Sequence, residues 1–503
     1  MPGGVPNMNI NIYFKQLLKD KKIKVQTLIS KTGASKSTIY RVMNGLQKPS
    51  DRLMDKIVEV LDLSLLESQQ LHYYFSLVET DNNLVSAREE VSKLLFNIKE
   101  QDSEKFELVF YESDRYIKSF QDIIDELIGT SKEKDFSCRI RLINCNQDRI
   151  LSPLHRAVSQ LNESHALYSI EHLVNFSTSD FQENIAILNH LIPLLALDNY
   201  SVMYRDSANV SNYGFFHNLL IINYIHQNES GTLTKKYMVL TFLPDTLSSC
   251  YVVDTENMHS FFERNYEALL KDYRLALNTQ KFFEDYGMLF LQYEMNHNLY
   301  LFKPSICYNR VPHSVWRSVV TRYPINDFLQ SFLSTNYRPE NHDNHLEEIL
   351  LYMETRIKAS YLHKQIDIMT TKGMEDFAAT GLLLDHLEGL PPFNKEEIKS
   401  ILQYIKARDL DTEDRYKLNL LEQDYNSETL TVVVAANRGL FVEYASRNGD
   451  GYVAPYCLIE HKEISNIFVD YAENYVPVML ALPQDKAHDF IDYLIEKYCN
   501  VDK

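Results

Sequence analysis

Glycine is scarce in this sequence, with 14 glycines among 503 residues, where ~7% is usual in globular proteins. Few glycines leave few tight turns, so the composition favours a chain rich in helix. Apolar runs are short as well, and none approaches the roughly 20 residues that a membrane-spanning helix needs. The sequence therefore predicts a protein without membrane contact, and its length predicts two to four domains.

Cysteine pairs are also missing. The six cysteines lie far apart, with neither C-x-x-C spacing nor a paired histidine, which argues against a zinc framework and a disulfide scaffold. We expect reduced, mostly buried thiols, a cytoplasmic protein and no cofactor. The cysteines are Cys138, Cys145, Cys250, Cys307, Cys457 and Cys499.

Linear signatures of catalysis are absent too. The sequence contains no GxxxxGK[ST], GxGxxG, HExxH or GxSxG, so it predicts no enzyme. His342, Asp343 and His345, in the run NHDNH, have a spacing that a metal could use. A third close ligand is lacking and the run is polar throughout, which favours a solvated turn over a zinc or manganese site. No metal site is predicted.

Charge is distributed unevenly along the chain. The formal net charge is −18, yet residues 9–62 hold 11 lysines and arginines against 5 aspartates and glutamates, a net charge of +6. The remainder is strongly acidic and should be repelled by nucleic acid, whereas a basic module can approach phosphates. We therefore expect double-stranded DNA to be bound only through residues 9–64. Residues 1–8 are predicted to be a disordered leader.

The basic region contains the pattern of two short helices joined by a tight turn, from Lys24 to Pro49. Apolar residues three and four apart give the first helix one buried face, and Gly33 suits the left-handed conformation that ends a helix. Ser35 is a favourable N-cap for a second helix, predicted from Lys36 to about Met43.

The second helix has a polar outer face. At 100 degrees per residue, the side opposite Ile39 and Val42 carries donors and a phosphate-seeking cation. These residues are Ser37, Tyr40, Arg41 and Asn44, with Lys36 in the exposed first turn. Further amphipathic helices are predicted at Ile10–Lys22 and from Asp51 to Leu61, which makes a four-helix domain of residues 9–64.

These residues resemble the Cro and phage-repressor type of helix-turn-helix, the XRE family of transcriptional regulators, over residues 9–63 only. The matching positions are Leu28, the run from Thr32 to Ile39, Arg41, Asn44-Gly45, Pro49-Ser50, Leu53 and Leu61-Asp62-Leu63. The resemblance implies that Lys36, Ser37 and Arg41 contact base edges in the major groove, and that Ser35, Asn44 and Lys48 contact phosphates.

Two positions depart from the family pattern. Val25 stands where the family often has a glutamine, which removes a phosphate contact. Ile29 stands where an alanine is usual, which demands room between the helices.

Behind the predicted DNA-binding domain, residues 65–100 suggest a helical connector that is broken near Asp81-Asn82-Asn83. Two roles stay open on the pattern alone. The connector could form a homodimer, which a small head needs to reach a second half-site, or it could pack on the following domain.

From residue 101 the pattern is a mixture of strands and helices. We predict an α/β sensor unit at 101–280, a mainly helical segment at 281–370 and a second α/β unit at 371–503. Strands are expected at Arg139–Cys145, Leu430–Ala435 and Leu440–Tyr444, with Tyr452–Ile459 as a further strand. The fold class is thus multidomain, with an all-α head and a large mixed α/β (α+β) region.

Two segments of this region share an order of elements, which raises the hypothesis of two related units in tandem. Glu171-His172-Leu173 and Asp385-His386-Leu387 each precede a helix, two strands and a helix rich in aromatic residues. His172 and His386 are therefore candidate ligand-binding residues, since histidine titrates near neutrality. The alternative is a buried histidine held by one hydrogen bond.

The patterns together favour a sequence-specific transcriptional regulator whose C-terminal region senses a small molecule, a peptide or a protein. An alternative is an antitoxin or phage-defence protein whose head autoregulates its operon while the remainder binds another protein. A regulator built from helical repeats would need a period of about 34 residues, which the strands predicted between residues 430 and 444 contradict.

Overall fold

We describe the fold from a computed structural model of the chain. The structure describes residues 10–77, 82–96, 109–110, 120–146, 148–163, 166–178, 180–192, 194, 199–207, 218–227, 231–242, 249–253, 256–276, 283–322, 342–383, 391–411, 415–425, 430–444, 446–448, 451–453 and 456–499. The predicted leader at residues 1–8 lies outside this part of the chain.

The N-terminal head is a bundle of helices. Its helices are α1 (Ile10–Asp20), α2 (Val25–Thr32), α3 (Lys36–Met43), α4 (Asp51–Leu61) and α5 (Leu65–Leu77). One apolar core joins all five, and its fully buried members include Phe14, Leu28, Ile39 and Ile57. Leu28, Ile39 and Ile57 are among the apolar positions at helical spacing that predict the bundle.

Behind the head, helix α6 (Asn82–Phe96) leads into a first mixed sheet of eight strands. Its elements in chain order are β1 (Val109–Phe110), α7 (Phe120–Thr130), β2 (Lys134–Ile143), α8 (Asp148–Glu163), β3 (Leu167–Ser177), α9 (Phe181–Leu191), β4 (Tyr200–Ser207), β5 (Leu219–Gln227), β6 (Leu233–Phe242), β7 (Ser249–Val253), α10 (Glu256–Leu270) and β8 (Arg274–Leu275). We call this part unit 1. The strand order is β1-β7-β6-β5-β2-β3-β4-β8.

A second mixed sheet of six strands, in the order β11-β10-β9-β12-β13-β16, forms unit 2. Its elements are α11 (Phe283–Asn296), β9 (Leu299–Phe302), α12 (His313–Arg322), α13 (His342–Ala359), β10 (Gln365–Thr370), α14 (Thr371–Thr380), α15 (Lys395–Leu410), β11 (Tyr416–Leu421), β12 (Leu430–Ala435), β13 (Gly439–Tyr444), β14 (Ser446–Asn448), β15 (Gly451–Val453), β16 (Tyr456–Ile459), α16 (Lys462–Asp470), α17 (Val476–Met479) and α18 (Gln484–Leu494). Strands β14 and β15 pair only with each other.

Six strands of each unit share one topology, and unit 1 adds β1 beside β7 and β8 beside β4. In unit 1, β2, β3 and β4 are parallel, and β5, β6 and β7 continue from β2 as antiparallel neighbours. In unit 2, β9, β10 and β11 are parallel, and β12, β13 and β16 continue from β9 in the same way. Helix α7 precedes β2 as α11 precedes β9, and helix α10 follows β7 as α16 follows β16. Two units of one topology therefore stand in tandem.

The structure corrects four details of the sequence interpretation. The second sheet takes β9 and β10 from the segment 281–370, so it crosses the predicted boundary at residue 370. Both strands are short and buried throughout. Strand β9 is an apolar run of four residues, whereas the six residues of β10 include the buried polar residues Gln365 and Asp367. The predicted strand Tyr452–Ile459 is divided between β15 and β16. His172 lies on β3, whose counterpart is β10, so it does not correspond to His386.

The fourth correction concerns the run NHDNH. Asp343 and His345 lie in the first turns of helix α13, and the imidazole Nδ1 of His345 is 3.3 Å from Glu348. The predicted solvated turn is therefore a helix start, where carboxylates are favoured by the helix dipole.

The two sheets meet edge to edge through Ala276. The Ala276 amide donates to the Val202 carbonyl on β4 of unit 1 at 2.7 Å. The Ala276 carbonyl accepts from the Leu458 amide on β16 of unit 2 at 2.7 Å. The Tyr204 hydroxyl accepts from the Glu460 backbone at 2.8 Å. One apolar core draws on both sheets and on the inner face of α6.

Helix α6 is thus an internal element of the C-terminal region. Its apolar side chains are buried between α9 of unit 1 and α16 of unit 2, and they include Ala87, Val91, Leu94 and Leu95. This arrangement matches the alternative in which the connector packs on the following domain. In the part of the chain that the structure describes, no helix has the length and apolarity to cross a membrane.

Candidate nucleic-acid interface

The turn between α2 and α3 is built from two capping residues. Gly33 ends α2 in the left-handed conformation at φ 70°, and its amide donates to the Ile29 carbonyl. Ser35 is extended at φ −63° and ψ 150°, and its hydroxyl accepts from the Thr38 amide at 3.0 Å. These two caps stop one helix and start the next within three residues, as the sequence predicts.

Helix α3 presents its polar side to solvent. Ile39 and Val42 are fully buried against the head, while the predicted contact residues are all exposed: Ser35, Lys36, Ser37, Tyr40, Arg41, Asn44 and Lys48. The Lys36 ammonium lies 6.0 Å from the centre of the Tyr40 ring. Donors and cations therefore share one accessible face, although their individual DNA contacts stay predictions.

Two of the predicted contact residues already have partners within the head. The Ser35 hydroxyl also lies 2.8 Å from the Thr38 hydroxyl, so it is engaged in the cap. The Asn44 Oδ1 accepts from the side-chain amide of Asn11 on α1 at 3.0 Å. Asn11 was not identified from the sequence, because no local signal connects residues 33 positions apart.

The residues at the two departures from the family pattern both pack into the head. Val25 and Ile29 are both half-buried and pack against the core of the head. The Lys56 ammonium donates to the Thr32 carbonyl at 2.9 Å, which supports the C-terminal end of α2. Ile29 therefore extends the apolar face of α2 rather than forcing the motif helices apart.

His172 lies in the middle of the first sheet and is fully buried. Its Nδ1 is 2.8 Å from the Tyr200 hydroxyl, and its Nε2 has no partner among the described residues. Burial lowers the pKa of His172 to about 3, so this side chain stays neutral near pH 7. The geometry matches the alternative of a buried histidine with one hydrogen bond. His386 lies outside the described residues.

The head contacts unit 2 at a junction formed by α5, α6 and residues 470–479. Arg88 on α6 forms two hydrogen bonds with the Asp470 carboxylate, at 2.5 and 2.8 Å, and donates to the Tyr73 hydroxyl on α5 at 3.0 Å. The Tyr73 ring meets the Tyr475 ring edge-on at 5.7 Å. Gln70 reaches the Val478 carbonyl at 3.4 Å.

The chain at this junction is irregular. Tyr471–Tyr475 form a π-helical turn between α16 and α17, a feature that is frequent at functional sites. Met479 packs against the apolar core of the head. Residues 470–479 of unit 2 are therefore in direct contact with the DNA-binding head.

Within the described ranges, no group of three or more His, Cys, Asp or Glu side chains could hold a metal ion. Five described cysteines are free and buried, namely Cys138, Cys145, Cys307, Cys457 and Cys499. Burial raises the pKa of the Cys457 thiol to about 12. Such thiols act as small apolar side chains.

The fold and the exposed polar helix define the N-terminal part as a helix-turn-helix DNA-binding domain. Residues 14–67 match the family model of the Cro/C1-type HTH DNA-binding domain. This match confirms the resemblance to the Cro and phage-repressor type, and it supports a DNA-binding regulator. A search of the curated proteins found no match.

Proposed function

We propose that the chain is a non-catalytic, sequence-specific transcriptional regulator. In this proposal two copies associate, their heads bind adjacent half-sites on DNA, and the C-terminal region senses an effector. The observation that carries the proposal is the direct packing of unit 2 on a Cro/C1-type head.

The DNA contacts follow from the exposed face of α3. Lys36, Ser37 and Arg41 are assigned to base edges, because they occupy the start and middle of the outer face. Lys48, Asn44 and Tyr40 are assigned to the phosphate backbone. The Ser35 hydroxyl is engaged in the helix cap, so we assign Ser35 to positioning α3 rather than to a phosphate.

The junction provides the route from effector to DNA. Arg88 is 5% exposed and contacts α5 and unit 2 at the same time, so a shift of residues 470–479 must move α5 or break buried contacts. Helix α5 belongs to the core of the head through Leu71 and Phe75. Two heads must fit half-sites about 34 Å apart, so a rotation of each head by a few degrees changes the fit.

A homodimer is part of the proposal, because one head contacts only a few base pairs. The apolar face of α6 is buried within the chain, so the contact between two copies is assigned to another surface. Sedimentation of the purified protein should give twice the chain mass of 58.8 kDa. A single chain mass at micromolar concentration would contradict this part.

Fluorescence anisotropy with fragments from upstream of the protein's own gene tests the DNA-binding part. Arg41→Ala should weaken specific binding by about 10-fold or more, because a bidentate base contact contributes about 1–3 kcal/mol. Arg52→Ala is the matched control, since Arg52 is exposed on α4 and its loss changes the charge equally. Equal affinities for Arg41→Ala, Arg52→Ala and the parent protein would exclude DNA readout by α3.

The salt dependence separates base contacts from phosphate contacts. Binding of the parent protein should weaken steeply between 50 and 200 mM salt. Lys48→Ala should reduce that slope by about one, whereas Ser37→Ala should leave it unchanged and alter sequence preference. A stoichiometric protein that co-purifies from the native host would instead favour the antitoxin or phage-defence alternative.

A further inference from the structure

The tandem units provide an internal comparison, because their strands can be aligned by hydrogen-bond register. Ile143 at the end of β2 pairs with Leu173 and Leu219, and Phe302 at the end of β9 pairs with Ile368 and Val432. The next backbone amide donates to Leu173 in unit 1 and to Ile368 in unit 2. Leu173 therefore corresponds to Ile368.

This alignment places His172 at the position of Asp367, and Ile170 at that of Gln365. On the neighbouring strands, Ile170 pairs with Tyr200 and Gln365 pairs with Tyr416, so the two tyrosines also correspond. Each tyrosine meets the polar side chain of its own unit. The Tyr200 hydroxyl is 2.8 Å from His172, and the Tyr416 hydroxyl donates to Asp367 at 3.0 Å.

Around this shared pair the two units differ in polarity. In unit 1 the facing helices α7 and α8 contribute apolar side chains, including Ile124, Leu127, Leu154 and Val158. In unit 2 the same side of the sheet carries a buried ionic layer. Arg310 forms two hydrogen bonds with Asp367, at 2.5 and 2.7 Å, and Arg356 on α13 forms two with Glu294 on α11, at 2.6 and 2.5 Å.

These ion pairs are almost completely withdrawn from water. Arg310 is 2% exposed, and Asp367, Arg356 and Glu294 are 0% exposed. Burial lowers the pKa of Arg310, but the Asp367 carboxylate more than offsets it, so the pKa is raised and the guanidinium stays charged. Replacing buried ion pairs by apolar side chains is often neutral or stabilising. Unit 1 has the shared six-strand topology with apolar side chains on this side of its sheet, so the topology itself does not require the ionic layer.

The layer also contains polar atoms that lack partners among the described residues. These are Nη1 of Arg310 and both side-chain atoms of Gln365, which is 0% exposed. All of them lie around Tyr416: Arg310 is 5.2 Å from the centre of its ring, and Gln365 is its neighbour on β10. Unpaired buried groups are costly, so each one calls for a partner.

Arginine and tyrosine side chains connect this layer to the surface. The Arg408 guanidinium lies 4.8 Å from the Tyr416 ring centre and 4.1 Å from that of Tyr361. The Tyr361 hydroxyl meets the Tyr404 hydroxyl at 2.9 Å, and Tyr361 is 47% exposed. Arg408 and the partly exposed Tyr361 are therefore the side chains that lie between the layer and solvent.

We propose that Gln365, Arg310 and Tyr416 form the effector site of unit 2, and that it takes a neutral planar molecule with an imide edge. The Gln365 amide offers a donor beside an acceptor, and Nη1 of Arg310 offers a second donor. An edge that reads acceptor, donor, acceptor, as in uracil, satisfies all three. The Arg310 charge is compensated by Asp367, which favours a neutral ligand over an anion. The ligand enters beside Tyr361 and Tyr404.

Uracil is the probe that tests the site, with the full-length protein in isothermal titration and thermal-shift measurements. Uracil should bind and raise the unfolding temperature, whereas cytosine and 3-methyluracil should bind at least about tenfold more weakly, because each lacks the central donor. Equal responses to all three compounds, or no response to uracil at millimolar concentration, would overturn the proposal and leave ordered water as the partner of these groups.

Gln365→Ile introduces the residue that unit 1 has at this position. It should retain the fold, because an apolar side chain replaces an amide without partners, and should lower the affinity for uracil by about tenfold or more. Asn419→Leu is the matched control, since Asn419 is a buried amide with an unpaired nitrogen on the adjacent strand, beside Ile368 on the opposite face of the sheet. Equal losses in both variants would contradict a site at Gln365.

The regulatory role of this site rests on the proposed function, and a DNA measurement separates the two. Uracil binding together with a changed affinity for DNA supports both. Uracil binding without any change in DNA affinity supports the site and contradicts its regulatory role. Specific DNA binding with no uracil binding supports the head and contradicts the site.

Discussion

The buried imidazole of His172 makes the stability of unit 1 depend on pH. Its pKa is lowered to about 3 by burial, from about 6.5 in an unfolded chain. Below pH 6.5 the His172 imidazole is protonated in the unfolded chain but stays neutral in the folded chain. The contribution of this group is therefore present above pH 6.5 and is lost as the pH falls, by about 1.4 kcal/mol per pH unit.

His172→Asn tests this dependence, because an amide can still meet the Tyr200 hydroxyl but does not titrate. Between pH 7.5 and pH 5, the parent protein should lose about 2 kcal/mol more of its free energy of unfolding than the variant. Urea unfolding followed by far-ultraviolet circular dichroism measures both. The same loss in parent and variant would show that His172 is not buried as a neutral group.

At the residue scale, the exposed face of α3 could be predicted because its information is local. Caps, apolar spacing and the outer face all lie within about 25 residues, and each follows from helix geometry. The pairs Arg310 and Asp367, or Asn11 and Asn44, are 57 and 33 positions apart. No spacing rule connects such residues, since the fold alone brings them together.

At the scale of elements, two helix ends form a matched pair for measuring backbone strain. Gly33 ends α2 at φ +70°, and Gly381 follows α14 at φ +69°. A Cβ at Gly33 would meet nothing within 4 Å, whereas a Cβ at Gly381 would lie 2.3 Å from the Phe393 carbonyl oxygen. Both substitutions strain the backbone, but only the second adds a clash with main chain.

We therefore expect Gly33→Ala to cost about 1 kcal/mol, the usual penalty of a left-handed non-glycine residue. Gly381→Ala should cost more than about 3 kcal/mol, because the Phe393 segment must also move. Differential scanning calorimetry measures the unfolding temperature of both variants. A smaller decrease for Gly381→Ala than for Gly33→Ala would contradict this packing.

Elements were predictable where a pattern repeats over several turns or where strands have clear ends. The hairpin of β12 and β13 was confirmed, with Asn437 at φ 60° in its turn. Strand β9 is not identified from the sequence, because a short apolar run buried on both faces resembles a helix segment. Strand β10 is missed for another reason, since its Gln365 and Asp367 are polar residues that the fold buries. The sheet boundary was misplaced for these reasons.

At the scale of the whole molecule, Arg88 and Asp470 tie the connector to unit 2. The Arg88 side chain is 6% exposed and that of Asp470 is 19% exposed. Arg88→Met should lower the free energy of unfolding by about 2–4 kcal/mol, because it leaves a poorly solvated carboxylate without its cation. Chemical unfolding of the full-length protein measures this loss.

Lys93→Met on the same helix is the control, since Lys93 is 56% exposed in its pair with Glu90 and should change stability by less than about 0.5 kcal/mol. Adding Asp470→Leu to Arg88→Met should restore most of the loss. A double variant as unstable as Arg88→Met would mean that the ion pair does not account for the effect.

The tandem architecture was partly visible in the sequence. The sequence predicts the order of helix, strand, strand and helix in both units, and the order of six strands that the two sheets share agrees with it. The histidine triplets suggested a wrong correspondence, because three matching residues carry little information beside a register that extends across six strands.

The ion pair at the junction has a consequence for the newly made protein. Asp470 leaves the ribosome 382 residues after Arg88, which at about 5–20 residues per second takes about 20 to 75 s. During that interval the head is complete, and the buried face of α6 still lacks half of its cover. In the proposed function, a nascent chain therefore carries a complete DNA-binding head before unit 2 exists to regulate it. Slow translation through unit 2 would prolong the period in which the head stands without it.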